Sequence, residues 1–104
     1  MTKPVRIIAW SNLAAYAETH PPVRSPLSHW RSAIKAGAWK SMADLAAAFS
    51  TAKTVGGDRI RFEIAGGNYR LVVAFDFVRQ IAFVKFIGTH AEYDRIDAAT
   101  VSMF

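Results

Sequence analysis

An α+β fold, in which short N-terminal helices pack on a twisted antiparallel β-sheet and a C-terminal helix closes the chain, is predicted by three features of this 104-residue sequence. Apolar residues recur at helical spacing through the first half, the period changes to two after Asp58, and a helix-start signal at Thr89–Glu92 follows the last alternating run. The composition supports one folded domain over residues 1–104, since 52% hydrophobic, 12% aromatic and 20% charged residues describe a globular protein and not a basic disordered tail. A chain of this size buries roughly two-thirds of the surface its unfolded state exposes, enough to fold without staples.

Val5 to Ala9 is short and rich in β-branched residues, which predicts a first strand. Ser11 is then a candidate N-cap for a helix with Leu13, Tyr16 and Ala17 on one face, and Pro21 and Pro22 stop that helix at His20. A second helix is expected from Pro26 to Ala36, with Pro26 in its first turn, Leu27, Trp30 and Ile34 inward, and Gly37 as the stop. Arg24, Arg31 and Lys35 ride outside it. Ser41 caps a third short helix whose apolar positions are Met42, Leu45, Ala46 and Phe49, and the helix dipole favours Asp44 in its first turn.

Ser50 to Asp58 has loop chemistry and almost no large apolar residue, so a mobile connection is expected there. Beyond it Ile60, Phe62 and Ile64 alternate with Arg59, Arg61 and Glu63, the pattern of a half-buried strand. Gly66-Gly67-Asn68 supplies the positive φ that a tight hairpin requires. Tyr69–Asp76 is the next strand, a turn spans Phe77–Gln80, and Ile81–Ile87 completes an antiparallel meander that Gly88 ends. Thr89 and Glu92 form a capping box for a final helix of two to three turns carrying Tyr93, Ile96 and Ala99 inward.

Composition also bounds function. Zero Cys excludes a disulfide framework, a thiolate nucleophile and Cys-ligated zinc, and three scattered His without a motif predict neither a metal site nor a cofactor. No apolar run approaches the ~18–20 residues of a membrane span, and the N-terminus lacks a signal-peptide core; a cytoplasmic protein without a membrane partner is expected. Thirteen Lys and Arg against eight Asp and Glu give a net charge of +5, which favours polyanionic partners, either nucleic acid or an acidic protein surface. Six cations against Glu18 and Asp44 place +4 of that charge before Lys53, with Arg24, Arg31, Lys35 and Lys40 as candidate phosphate contacts should the partner be nucleic acid.

The second half concentrates groups suited to a phosphodiester. Lys53, Arg59, Arg61, Arg70 and Lys85 are cations, while His90 and Tyr93 are possible proton carriers. Strand parity puts Arg59 and Arg61 on one face and turns Arg70 away from Tyr69, Leu71 and Val73. Lys85 breaks the pattern, falling in parity with Ile81, Phe83 and Ile87; it either faces a groove or snorkels to a rim. His90 stands in the first turn of the last helix, where an imidazole can meet a bound phosphate or simply face solvent. Tyr93, three residues on, shares its face or packs into the core. Arg59 and Arg61 could equally be solvated strand residues. Gly66-Gly67 is a turn and not a phosphate loop, because it joins strand to strand. Trp10, Trp30 and Trp39, all in the helical half, read as core or partner-interface residues, and His20 and His29 have no comparable neighbours.

The string RFEIAGGNYRLVVAF over residues 61–75, followed by KFIGTHAEYDRID over 85–97, resembles the HigB toxins of bacterial type II toxin–antitoxin modules, a branch of the RelE-like superfamily. The likeness runs from about Ala38 onward through Phe62, Ile64, Gly67, Asn68, Arg70, Leu71, Thr89, His90, Glu92, Tyr93 and Asp94. It implies a RelE-like fold and a ribosome-associated endoribonuclease that cuts translated mRNA without metal or cofactor. It also implies a HigA antitoxin with a helix-turn-helix domain as partner, in a toxin–antitoxin hetero-oligomer. The implied site carries Arg70, His90 and Tyr93 as catalytic residues, with Lys53, Arg59, Arg61, Asn68 and Lys85 toward RNA. Asn68 serves a turn as readily as an RNA contact, and His90 and Tyr93 could exchange roles. Two other readings remain at this point: a non-catalytic basic module that binds RNA or protein, and a gyrase-targeting relative of the same fold.

Overall fold

The computed structural model describes residues 4–104; the first three residues of the expected domain lie outside that range. Strand β1 (Arg6–Ile8) leads into α1 (Trp10–Thr19), a 3-10 turn (Pro21–Val23), α2 (Arg24–Ala36) and α3 (Met42–Ala48). Four strands follow, β2 (Lys53–Gly56), β3 (Arg59–Ile64), β4 (Tyr69–Asp76) and β5 (Ile81–Thr89), then α4 (His90–Tyr93). The sheet order is β1-β5-β4-β3-β2. The fold is α+β, as expected, but the sheet is mixed: β1 runs parallel to β5, with Arg6 opposite Ile81 and Ile8 opposite Phe83. The helices carry the chain across one face from the β1 edge to the β2 edge, a crossover that reading the meander alone does not reveal.

That helix-covered face holds the core. Leu13, Leu27, Trp30, Ile34 and Leu45 are buried against Ile60, Phe62, Leu71, Val73 and Phe75. Phe62 is its aromatic centre, with ring centroids 5.5 Å from Trp30 and 5.0 Å from Phe49, both edge-on. Trp39 donates from Nε1 to the Ile34 carbonyl at 2.9 Å. Gln80, buried at the β4–β5 turn, donates from Nε2 to the Trp39 and Phe77 carbonyls.

Several boundaries differ from expectation. Ala9, not Ser11, is the N-cap of α1 and gives no side-chain bond. The 3-10 turn feeds α2 two residues before Pro26, which still lies in the first turn. Ser41 caps α3 as expected, its hydroxyl accepting from the Asp44 N–H. The segment expected to be a mobile connection, Ser50–Asp58, contains β2, an exposed edge strand pairing Lys53 with Arg61. Edge strands need little apolar surface, so their composition resembles that of a loop.

β5 runs through Gly88 to Thr89. It carries a bulge: Val72 faces Phe86 and Val73 faces Val84, leaving Lys85 unpaired between them. The extra residue reverses parity, so Ala82 and Val84 reach the core before it and Ile87 after it. Lys85 is therefore not an inward residue in register with Ile87. The capping box at Thr89 is present in both its bonds, but α4 has only four residues where two to three turns were expected. Tyr93 and Ile96 are half-buried and Ala99 is exposed. Past α4 the backbone is drawn along the sheet by polar contacts: Arg59 Nη1 donates to the Ala98 and Val101 carbonyls, and the Met103 N–H donates to the Lys85 carbonyl at 2.8 Å. Among the described residues no helix is long and apolar enough to cross a membrane.

Candidate functional site

Residues directly opposite in a ladder point to the same side of a sheet. The pairs Lys53–Arg61 and Glu63–Arg70 therefore gather three cations and one carboxylate on the face away from α1–α3. Arg59, opposite Ala74, belongs to the same face. The bulge places Lys85 there without a ladder partner, its Nζ 5.7 Å from the Phe83 ring centre.

Arg70 is the most enclosed of these cations, 8% exposed, and its Nη1 meets Glu63 Oε1 at 2.6 Å. Its Nε is buried without a partner. The Arg70 hydrogen bond holds the Glu63 carboxyl below its usual range, helped by the charges of Arg70 and Arg61 against a smaller desolvation cost. The hairpin glycine makes room for the pair. Gly67 has φ +92°, and a Cβ on it would stand 2.7 Å from Glu63 Oε1 and 3.4 Å from Arg70 Nη1. Arg61 donates from Nη2 to the Thr51 carbonyl at 3.1 Å and lies 6.0 Å from the Tyr93 ring centre. Tyr93 in turn is 6.3 Å from Phe86, so one aromatic ring borders both the apolar strand β5 and the cationic strand β3.

His90 stands at the same end of the sheet as Arg70. Arg70 opposes Gly88 and Tyr69 opposes Thr89, so His90 follows immediately. Its N–H donates to the Asn68 carbonyl at 2.9 Å, which ties the hairpin to α4, and its Nδ1 lies 3.1 Å from Asp94 Oδ2. More than half of its side chain is exposed, leaving Nε2 open to an incoming group. Asn68 is exposed at the turn. Arg59 is occupied otherwise, its guanidinium spanning the two C-terminal carbonyls, so it acts here as a strut under the last segment. The face thus brings together Lys53, Arg61, Arg70, Lys85 and Tyr93, with His90 and Asn68 at its rim. A cleft of about 460 Å³ opens along the free edge of β3 between α2 and the α3–β2 connection, and Glu63 borders it beside Trp30, Phe49 and Phe62.

Two features escaped the sequence reading. Glu63 holds Arg70 by direct contact, a relation visible only once the hairpin register is known. His20 is not isolated. Its ring stacks on Tyr16 at 3.8 Å and meets Tyr69 edge-on at 6.2 Å. Its Nδ1 lies 3.0 Å from both the Tyr16 carbonyl and Thr19 Oγ1, and because the carbonyl can only accept, Nδ1 is the donor of that bond. Burial first, then the charge of Glu92, pushes the Tyr16 hydroxyl up to about 12. The i,i+4 spacing of Tyr16 and His20 on one helix was the available signal.

No curated protein matches the chain. The family comparison does find a match, and it covers the second helix, the hairpin, the bulged strand and the capped turn just described. Residues 23–96, more than two-thirds of the chain, match HigB_toxin, the RelE-like toxic component of a toxin–antitoxin system, and the chain belongs to that family.

Proposed function

We propose that this toxin is a ribosome-associated endoribonuclease that cleaves translated mRNA on the basic sheet face, without metal or cofactor, and that it acts in the cytoplasm. The observation that carries this reading is the cluster of Lys53, Arg61, Arg70 and Lys85 on one face beside Tyr93. A phosphodiester crossing that face meets guanidinium groups on two adjacent strands and an imidazole at the rim.

The reaction is attack of a ribose 2′-oxygen on its own 3′-phosphorus. The new O–P bond forms as the bond to the 5′-oxygen breaks, giving a 2′,3′-cyclic phosphate and a 5′-hydroxyl. One group accepts the 2′ proton, another gives a proton to the departing 5′-oxygen, and cations stabilise charge on the pentacoordinate phosphorus. Arg70, oriented by Glu63, takes the last role with Arg61 and Lys85. His90 serves as acid or base, and Tyr93 is its partner or the platform for a base. Lys53 and Asn68 grip the flanking strand. Arg61, Arg70, Lys85 and Tyr93 share the face, but His90 lies at its rim. A ribosome that holds mRNA in line with them therefore supplies the missing orientation. The antitoxin is of the HigA type, with a helix-turn-helix domain, and silences the toxin as a hetero-oligomer.

The test is end-group analysis of mRNA in purified, programmed ribosomes. The wild-type chain is expected to yield 2′,3′-cyclic phosphate ends, and Arg70→Ala, paired with Glu63→Ala so that no carboxylate is left unmatched, is expected to abolish them. Full activity in that variant contradicts the proposal.

A further inference from the structure

The helical layer carries a second concentration of charge, over an apolar groove. α1 and α2 leave between them a solvent-open groove of about 320 Å³, floored by Trp10, Ala14, Ala17 and Leu27. Arg24 and Glu18 line it, and beyond Arg24 a row of cations continues along α2. Arg24, Arg31 and Lys35 stand at i, i+7 and i+11 along the exposed side of α2. Backbone and ring contacts hold them in place: Arg24 Nε donates to the Ala17 carbonyl at 3.2 Å, the Arg31 guanidinium lies 4.8 Å over the Trp10 ring, and Lys35 Nζ donates to the Val5 carbonyl at 3.3 Å. The adjoining edge strand adds Arg6 and the exposed side chain of Ile8. Among the described residues none of these four cations is in an ion pair, and Glu18 is the one acidic residue lining the groove.

We propose that the α1–α2 groove is the docking surface for an acidic amphipathic helix of the antitoxin. Its apolar side chains enter between Ala14, Ala17 and Leu27, and its carboxylates meet Arg24, Arg31 and Lys35. Charge complementarity selects an acidic occupant, and the floor selects a protein. Alanine and leucine offer nothing to a ribose or phosphate, whereas small residues between two helices admit the side chains of a third. An RNA duplex is held by phosphate contacts and has no use for such a floor. α1 is ten residues long, so a helix of about three turns, roughly 15 Å, covers the groove. The proposal does not depend on the nuclease reading, since this surface is on the other side of the sheet from Arg61 and Arg70.

The test measures fluorescence anisotropy of synthetic helical peptides against the full chain. One peptide of about 18 residues carries Leu on one face and Glu on the other; its counterpart carries Lys in place of Glu; a short RNA duplex is the third probe. The Glu peptide is expected to bind at least about tenfold more tightly than the Lys peptide, and Ala14→Trp and Arg31→Glu are each expected to weaken it at least about tenfold. Lys53→Glu, the same charge change on the sheet face, is expected to alter binding less than about twofold. Thermal melts establish that each variant is folded; Arg31 is exposed, so its variant carries the test should Ala14→Trp fail to fold. Three results overturn the proposal: no binding of the Glu peptide, an equal loss with Lys53→Glu, or duplex binding that depends on Arg31 while neither groove variant affects the peptide.

Discussion

The two faces of this sheet are built from the same strands and differ in what their side chains can spare. On the helix side, Ile60, Phe62, Leu71, Val73 and Phe75 are spent on packing, and nothing there is free to act on a ligand. On the other side Arg61 and Arg70 each make one side-chain hydrogen bond, with the Nε of each buried and unpartnered, and Lys85 lies beside the Phe83 ring. Period-two alternation makes this division possible, because each residue of β3 belongs wholly to one task. Stability and chemistry are therefore expected to separate under mutation, by face.

Phe62→Ala should produce the largest effect, a loss of about 3–5 kcal/mol in unfolding free energy read by denaturant titration, because the ring is 2% exposed and touches two other aromatics. An effect under about 1 kcal/mol would break the division of labour. On the opposite face, Arg61→Ala should lower ribosome-dependent cleavage by a factor of about 10²–10³. The melting temperature should barely move. Arg61 gives up one hydrogen bond to an exposed segment.

Gly67→Ala tests the boundary between the faces. The substitution forces a Cβ against Glu63 and strains a positive φ, so a cost of about 1–3 kcal/mol is expected together with reduced cleavage. Acid provides a gentler probe. Arg70's hydrogen bond lowers the folded pKa of Glu63, and the Thr89 bonds lower that of Glu92. Each contributes stability that is present above the unfolded carboxylate value of about 4.3 and lost as pH falls through the folded value. Denaturation midpoints should drop below about pH 5, and Glu63→Gln should flatten part of that drop. The smallest effect is expected from Lys53→Ala, a modest loss of ribosome affinity with a salt dependence reduced by about one phosphate contact.

What was legible in the sequence follows the same division. The β3–β4 hairpin could be read because Ile60, Phe62 and Ile64 alternate cleanly and Gly66-Gly67-Asn68 marks the turn; the Thr89–Glu92 box was equally plain. β2 was not legible, since an edge strand containing Thr54 and Gly56 has the composition of a loop. Lys85 announced itself as a break in parity, yet only the register showed that a bulge causes it. Ile96 and Ala99 fit helical spacing and so suggest a longer α4, whereas the Arg59 bonds to the Ala98 and Val101 carbonyls decide the course of that segment. Within the candidate site, the cations were visible and their partners were not: the Glu63–Arg70 contact and the His20–Tyr16 stack join residues by pairing and packing that no local pattern encodes fully.

The most direct measurement compares two single-charge losses, Arg61→Ala on the basic face and Arg79→Ala at the exposed β4–β5 turn, in the programmed-ribosome assay. The expected result is a loss of cyclic-phosphate ends by about a hundredfold or more for Arg61→Ala and less than about threefold for Arg79→Ala. Equal activity in the two variants, or no cleavage by the wild-type chain, would contradict the account.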